Sequence, residues 1–513
     1  MLSIVRACEV VGLDGHVVEV QTDFNPRAGL PSFSIVGLPG SAVRESRERV
    51  RAAIKNSGLQ FPNKGYTVNL SPADLSKQGP SYDLAIAMGV LAATDQVPLN
   101  AVTNAMFIGE LSLDGRVCHV KGVMPMAYAA AQAGHETIYV PAEDAAEAAL
   151  IQNIQVIPVE TLGQLVEHLY NLMPIAPYTV DLSTVAAKSA MPDGTVDFAD
   201  IKGQEHIKRA LEIAAAGNHN IIMMGSPGVG KSLMARAMPG ILPRLTTTEA
   251  LEVTRIYSVA DMLHGDVPLM QSRPFRAPHH TISQAGLVGG GTIPKPGEVS
   301  LAHRGLLFLD EIVEYASKTL EVMRQPIEDK IVTISRAKGS VTFPANFLLV
   351  AAMNPCPCGY HGDPTHACSC TPTMITRYQS KLSGPLLDRI DIHIEVPRVE
   401  YYKLMDDTRG ETSAAIRARV EQARDRQYDR FTGHEGLFAN ADMSAGDVQQ
   451  MCQLTPEAKQ VLELSVRRMQ LSARAYHRVL KLSRTIGDLA GTKLIEVHHV
   501  AEALQYRPQP AVQ

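Results

Sequence analysis

The stretch NIIMMGSPGVGKSLMARAM, residues 220–238, constrains this chain more than any other. A short apolar run passes into Gly225, Ser226, Pro227, Gly228, Val229, Gly230, Lys231 and Ser232, and a helix-forming run follows. Strand, glycine-rich loop and helix in that order make a phosphate cradle. The glycines let backbone N–H groups converge on an anion, and the helix N-terminus adds positive potential. Lys231 is placed to reach the outer phosphates and Ser232 to ligate Mg2+. The alternative is a glycine-rich turn ahead of an ordinary helix.

The surrounding pattern sets the architecture. A chain of 513 residues is too long for one core and should divide into two or three domains. Residues 1–170 alternate strand-like and helix-like pieces: GHVVEVQTDF and PSFSIVGLP read as strands, and SAVRESRERVRAAIKNSG as an amphipathic helix stopped by Gly58. Residues 171–198 lack periodicity and carry several prolines, which predicts a linker. Residues 199–397 read as an α/β core, and residues 398–513 as a helical region rich in arginine. The opening MLSIVRACEVVGLDGH carries Arg, Glu and Asp early and has no small-residue cleavage site. The longest apolar run, residues 84–93, is about half a membrane span. These features predict a cytoplasmic protein with no membrane partner. Isolated Cys8, Cys118 and Cys452 fit packed thiols in a reducing compartment. The net charge of −5 excludes neither nucleic acid nor protein partners, because charge can be local.

Further along, GLLFLDE ends an apolar strand in Asp310 and Glu311. That pair fits a Mg2+-organising aspartate followed by a glutamate that orients or deprotonates an attacking water, although acidic residues also cap helices. The strand FLLVAAMN ends in Asn354, whose amide suits a place beside that water. GPLLDRIDIHIEV carries Arg389 and LSARAYHRVL carries Arg474. Arg389 suits donation to a neighbouring subunit's γ-phosphate, and Arg474 a γ-phosphate in its own or a neighbouring site, which requires an oligomer. A surface ion pair is the other reading of each.

Two more features stand out. NPCPCGYHGDPTHACSC, residues 354–370, holds Cys356, Cys358, Cys368 and Cys370. Four thiolates close a tetrahedral structural Zn2+ site, with His361 or His366 able to replace one; clustered reduced thiols or a redox pair are the alternatives. EDKIVTISRAKGSVTFPANF reads as a hairpin with Arg336 and Lys338 at its tip, two cations suited to a phosphate backbone without base readout.

Taken together and in this order, these pieces resemble an AAA+ ATPase of the helix-2-insert clade. RPFRAPHHTISQAGLVGGGTIPKPGEVSLAHRGLLFLDEI is similar to the core of the magnesium-chelatase ATPase subunit, and GPLLDRID resembles a motif of replicative minichromosome-maintenance helicases. Nearly the whole chain resembles one bacterial family, ComM, also called YifB. That resemblance implies ATP as cofactor, a hexameric ring, a C-terminal helical lid and action on single-stranded or branched DNA, with branch migration during natural transformation as the associated process. In related helicases the hairpin ahead of the Asn354 strand projects into the ring pore.

The N-terminal segments VGLPGSAVRESRERVRAAI, NLSPADLSKQGPSYDLAIAMGVLAA and GELSLDGRVCHVKGVMPMAYAAAQAGHETIYVPAED resemble, in order, the proteolytic domain of Lon proteases. That family pairs a serine in G-P-S with a lysine. Ser81 stands in GPS, but Met124 occupies the lysine position and Lys121 lies three residues earlier. A thioether accepts no proton, so the resemblance implies a Lon-like scaffold without peptidase activity. Two other function classes fit parts of the chain: a motor driving Mg2+ insertion into a porphyrin, and a protein remodeller or protease.

Overall fold

The computed structural model describes residues 1–181, 196–263, 268–291, 294–336, 339–399, 409–434 and 436–507. The chain opens as a hairpin because its first residues alternate. In β2 (Asp14–Asn25), Val18, Val20 and Thr22 are buried and the residues between them less so, the period-two signature of a strand with one face on a core. β2 pairs antiparallel with β1 (Leu2–Val11) from Leu2↔Asp23 to Val11↔Asp14. With β3 (Ser32–Val36), β4 (Gly65–Ser71), β5 (Ala105–Phe107), β8 (Thr137–Pro141) and β9 (Gln155–Val159) they form a seven-stranded mixed sheet of order β3-β4-β2-β1-β5-β8-β9. The short β6 (Glu110–Leu111) and β7 (Val117–Cys118) make a separate two-stranded pair.

The helices of this unit follow their sequence patterns. Ser41–Asn56 buries Val43, Ser46, Val50, Ala53 and Ile54, one stripe at helical spacing, and Gly58 takes the left-handed conformation (φ 77°) that terminates it. The run that approaches membrane hydrophobicity is the helix Asp83–Ala93, buried at every position. Its apolarity serves a core, and among the described residues no helix is long and apolar enough to cross a membrane. Cys8 and Cys452 are buried free thiols and Cys118 is half-buried.

The chain divides into two compact units, Met1–Lys188 with Thr247–Gln271, and Ser189–Thr246 with Ser272–Gln513. The continuous 199–397 core read from sequence is thus interrupted. The helix Thr247–Ala260 belongs to the first unit, held there by specific bonds: Arg255 Nε donates to Leu13 O at 2.8 Å, Ser258 Oγ to Glu147 Oε1 at 2.6 Å, and Gly122 N to Ser258 O at 3.1 Å.

The second unit is built on a five-stranded sheet, every pair parallel, of order β11-β14-β17-β10-β18. Its strands are β10 (Ile221–Met224), β11 (Phe275–Arg276), β14 (Leu306–Leu309), β17 (Leu348–Met353) and β18 (Ile392–Glu395). β14 and β17 are buried throughout, as strands covered on both faces must be. Two antiparallel ribbons stand apart from it: β12 (Gly289–Gly290) with β13 (Lys295–Pro296), and β15 (Ile331–Arg336) with β16 (Gly339–Pro344).

Helices Ser413–Phe431, Ala445–Met451, Pro456–Met469, Ala473–Ala490 and Val497–Gln505 follow. Their apolar residues share one core with the sheet, Ile416 and Val420 among them. Several of the tail arginines are structural. Arg424 Nη2 and Gln427 Nε2 donate to the carbonyls of Ala215 and Ala216, which the end of the helix Glu205–Gly217 leaves without intrahelical donors. Arg484, 1% exposed, pairs with Asp488 at 3.1 Å, and Arg430 pairs with the same carboxylate. Buried charge of this kind is tolerated because it is paired and hydrogen-bonded.

Candidate nucleotide site

Because every strand of the second sheet is parallel, the carboxyl ends of β10, β14 and β17 emerge at one edge, where open α/β sheets place their ligands. Gly225 follows β10, Asp310 follows β14 and Asn354 follows β17. The register is close: Met224 pairs with Met353, and Leu309 with Ala351. Three separate sequence motifs therefore converge through strand pairing alone.

The loop from Gly225 to Ser232 has the required backbone. Gly228 and Gly230 take φ of 80° and 95°, conformations a side chain resists, and Gly230 caps the helix Lys231–Ala237. Lys231 is 9% exposed, and its Nζ donates to Gly225 O at 2.6 Å, Ser226 O at 2.9 Å and Asn354 Oδ1 at 3.1 Å. Burial lowers its pKa, and the nearby Asp310 and Glu311 carboxylates oppose that shift. Ser232 Oγ donates to Asp310 Oδ2 at 2.6 Å. Two hard oxygen ligands side by side are the donor set that Mg2+ takes from protein when phosphates and water complete its shell. Asp310 Oδ1 accepts the Glu311 N–H at 3.0 Å, and Glu311 takes φ 48°, a left-handed conformation strained for glutamate and found preferentially at functional sites. Burial pushes the neighbouring Tyr378 phenol up to about 12, and the Asn354 backbone N–H opposes that shift.

Arg389 and Arg474 form a second group. Both pair with Glu328, Arg474 Nη2 at 2.6 Å. Arg389 also donates to Pro385 O at 2.6 Å. Partial burial opposes ionisation of Glu328, but Arg389, Arg474 and Arg478 outweigh it and hold the carboxyl below its ordinary range. Among the described residues, the hydrogen bonds and ion pairs of Arg389 and Arg474 go to this group rather than to Lys231 or Asp310. Arg336 ends β15, exposed, opposite Gly339. Lys338 lies outside the described residues.

The cysteines form one cluster. The sulfurs of Cys356, Cys358, Cys368 and Cys370 all lie within 4.8 Å of one another, with Cys356 3.4 Å from Cys358 and 3.7 Å from Cys368, and Cys358 3.6 Å from Cys368. Tetrahedral Zn–S bonds of ~2.3 Å place sulfurs about 3.8 Å apart, so the donor set fits. Backbone N–H groups of Tyr360 and Ser369 pull the Cys358 thiol down to about 5, and His361 N donates to Cys356 Sγ at 3.3 Å. His366 instead stacks on Tyr360 with ring centroids 5.0 Å apart, and the cluster itself is all cysteine.

Comparison with known proteins gives three matches along the chain: "Magnesium chelatase, subunit ChlI" over residues 197–404, "Subunit ChlI of Mg-chelatase" over residues 18–144, and "Magnesium chelatase, subunit ChlI C-terminal" over residues 410–507. Competence protein ComM of Haemophilus influenzae is 42% identical over 509 residues, covering 99% of this chain and 97% of that one. YifB of Escherichia coli is 39% identical over the same shares. This chain belongs to the ComM/YifB family of magnesium-chelatase-like AAA+ proteins. The N-terminal part of this ComM/YifB chain is also 29% identical over 137 residues to Archaeal Lon protease of Methanothermobacter thermautotrophicus, 26% of this chain and 21% of that one. There Ser81, 7% exposed, precedes the helix Asp83–Ala93, and Met124 lies in the first turn of the helix Val123–Gln132 with its N–H on Glu147 Oε1 at 2.6 Å. Lys121 is exposed in the turn ahead of that helix.

Two groups at this candidate nucleotide site carry little sequence signal. Gln204, left-handed ahead of the helix Glu205–Gly217, donates from Nε2 to Val229 O at 3.3 Å and to Pro397 O at 2.8 Å, tying the phosphate loop to the chain beyond β18. Asp363, inside the cysteine loop, lies beside the Ser226 hydroxyl, which helps to hold its carboxyl below the usual carboxylate range. The only sequence signal for Gln204 is a polar residue between Gly203 and the helix start, and for Asp363 a DPT turn among the cysteines.

Proposed function

We propose that this protein is an ATP-hydrolysing motor that works on DNA as a ring of six copies, promoting branch migration in homologous recombination or natural transformation. The observation that carries the ATPase reading is the junction at the sheet edge, where Lys231 bonds Asn354 and Ser232 bonds Asp310. In this reading Lys231 and the N–H groups of the loop exchange the loop's own carbonyls for the outer phosphates. Ser232 and Asp310 hold Mg2+, which would neutralise phosphate charge. Glu311 orients the attacking water and takes its proton, and Asn354 aligns that water. Arg389 from a neighbouring copy meets the charge that develops on the transferred phosphoryl group, with Arg474 contacting the same group. In this reading residues 199–246 and 272–397 are the catalytic core, residues 398–513 the lid and residues 1–170 a Lon-like scaffold.

The DNA reading is supported by the competence name of the Haemophilus influenzae relative and by exposed Arg336 at the end of the β15–β16 ribbon. Its first test is ATP turnover in Mg2+ with and without single-stranded or forked DNA. A metal-chelatase motor is the second reading, favoured by the chelatase matches; the Lon-like unit and the cysteine cluster have no evident place in it. Stimulation of turnover by porphyrin and partner subunits, with indifference to DNA, would select it.

If Arg336 and Lys338 track phosphates, changing both to Ala leaves nucleotide binding intact. The slope of log affinity against log salt then becomes shallower by roughly one unit per lost contact, and unwinding falls. Equal slopes and equal unwinding would place the DNA surface elsewhere. For the first unit, a fluorescent casein assay is expected to show no ATP-dependent cleavage, because Met124 supplies no base to Ser81. Cleavage abolished by Ser81→Ala would reverse that assignment.

A further inference from the structure

We propose that the cysteine cluster, once it holds its metal, braces the phosphate loop, so that nucleotide affinity depends on metal occupancy. The inference rests on the reading of the four cysteines as zinc ligands and of residues 225–232 as the nucleotide loop.

The loop of residues 356–370 meets the nucleotide site at three points. Its first cysteine, fully buried Cys356, lies two residues past Asn354, and Gln379 Nε2 pins the intervening Pro355 O at 2.9 Å. Gly359 takes φ 85° and lies so close to Pro227 that a Cβ there would come within 2.6 Å of the proline Cγ and Cδ. A side chain at this position is therefore opposed twice, by backbone conformation and by the proline ring. Third, the Asp363 side chain, 0% exposed, gathers Arg398 Nε at 2.9 Å, the Thr365 hydroxyl and N–H at 2.7 and 2.8 Å and the His366 N–H at 3.1 Å, and it lies beside the Ser226 hydroxyl, which helps to keep it ionised. Thr365 first among these donors holds the carboxyl well below the usual carboxylate range, so the anchor stays ionised. Ser226 and Pro227 are the second and third residues of the phosphate loop.

Apart from the Asp363 bonds and the Tyr360–His366 stack, what closes this loop is its sulfurs. Its interior from His361 to Ala367 is exposed at every residue except half-buried Asp363, and it contributes only Cys356 to the buried apolar residues. A segment without a core takes its conformation from the metal that cross-links it. With the cross-link gone, the stretch between Cys358 and Cys368 regains the chain freedom that closure removed, and Gly359 and Asp363 lose their fixed places. The phosphate loop must then be ordered by the nucleotide itself, which subtracts from binding.

The test uses the full-length protein, zinc content by elemental analysis and affinity for a fluorescent non-hydrolysable ATP analogue. Wild type is expected to carry about one zinc per chain. Asp363→Ala and Gly359→Ala are expected to keep that zinc and to bind the analogue about tenfold more weakly. Cys368→Ser with Cys370→Ser is expected to lose the zinc and bind as weakly, with unchanged circular dichroism. Zinc-loaded Asp363→Ala and Gly359→Ala that bind like wild type would overturn the brace while leaving the metal site standing. A wild type with no zinc would overturn the metal reading beneath it, and loss of analogue binding in the wild type the nucleotide reading.

Discussion

Lys231→Ala is expected to bind ATP about a hundredfold more weakly or worse, whereas Glu311→Gln is expected to bind it normally and fail to turn it over. The Lys231 ammonium has three oxygen partners and little solvent, and hydrogen bonds to a charged group contribute up to about 3 kcal/mol, which is about a hundredfold in affinity. Alanine leaves the carbonyls of Gly225 and Ser226 in place with no cation to bridge them to phosphate. Glu311 is exposed, and its backbone rather than its carboxylate supports Asp310, so glutamine keeps the fold and the Mg2+ ligands while removing the proton acceptor. Removing a general base lowers turnover by about 10²–10⁴-fold. Equilibrium binding of labelled ATP beside single-turnover hydrolysis separates the two variants. Normal turnover in Glu311→Gln would contradict its role.

The second large effect is assigned to Arg389. Arg389→Ala is expected to retain ATP binding and lose turnover by about 10³-fold or more, the scale of an arginine that meets a transferring phosphoryl group. The cost to the fold is limited because Arg474 still pairs with Glu328 when Arg389 is gone. If Arg389 acts on a neighbour's nucleotide, rings mixed from Arg389→Ala and Glu311→Gln chains contain some sites with both groups intact, and activity returns on mixing. If it acts in its own chain, no site is complete and the mixture stays inactive.

Local patterns made much of this legible. The phosphate loop was readable because strand, glycines and helix lie within nineteen residues, a span short enough for periodicity and turn chemistry to dictate. Asp310 and Asn354 were readable for the same reason, each closing a short apolar strand. Their convergence was expected from the resemblance, and the parallel register of β14, β17 and β10 supplies its physical cause. The helix Thr247–Ala260 was not readable as part of the first unit, because Arg255 and Leu13 are 242 positions apart and neither carries a local sign of the other. The pairing of Arg389 and Arg474 on one carboxylate was hidden likewise: Arg474 and Glu328 are 146 positions apart. Arginine content says little about surface in the tail, where Arg424, Arg430 and Arg484 lie paired within the helical core.

A DNA motor is separated from any other ATPase by following ATP turnover and strand displacement together, on forked DNA, for wild type and Glu311→Gln. Forked DNA is expected to raise wild-type turnover, displacement to require both ATP and Mg2+, and Glu311→Gln to lose both activities while still binding nucleotide. Turnover indifferent to DNA, with no strand displaced, would contradict it.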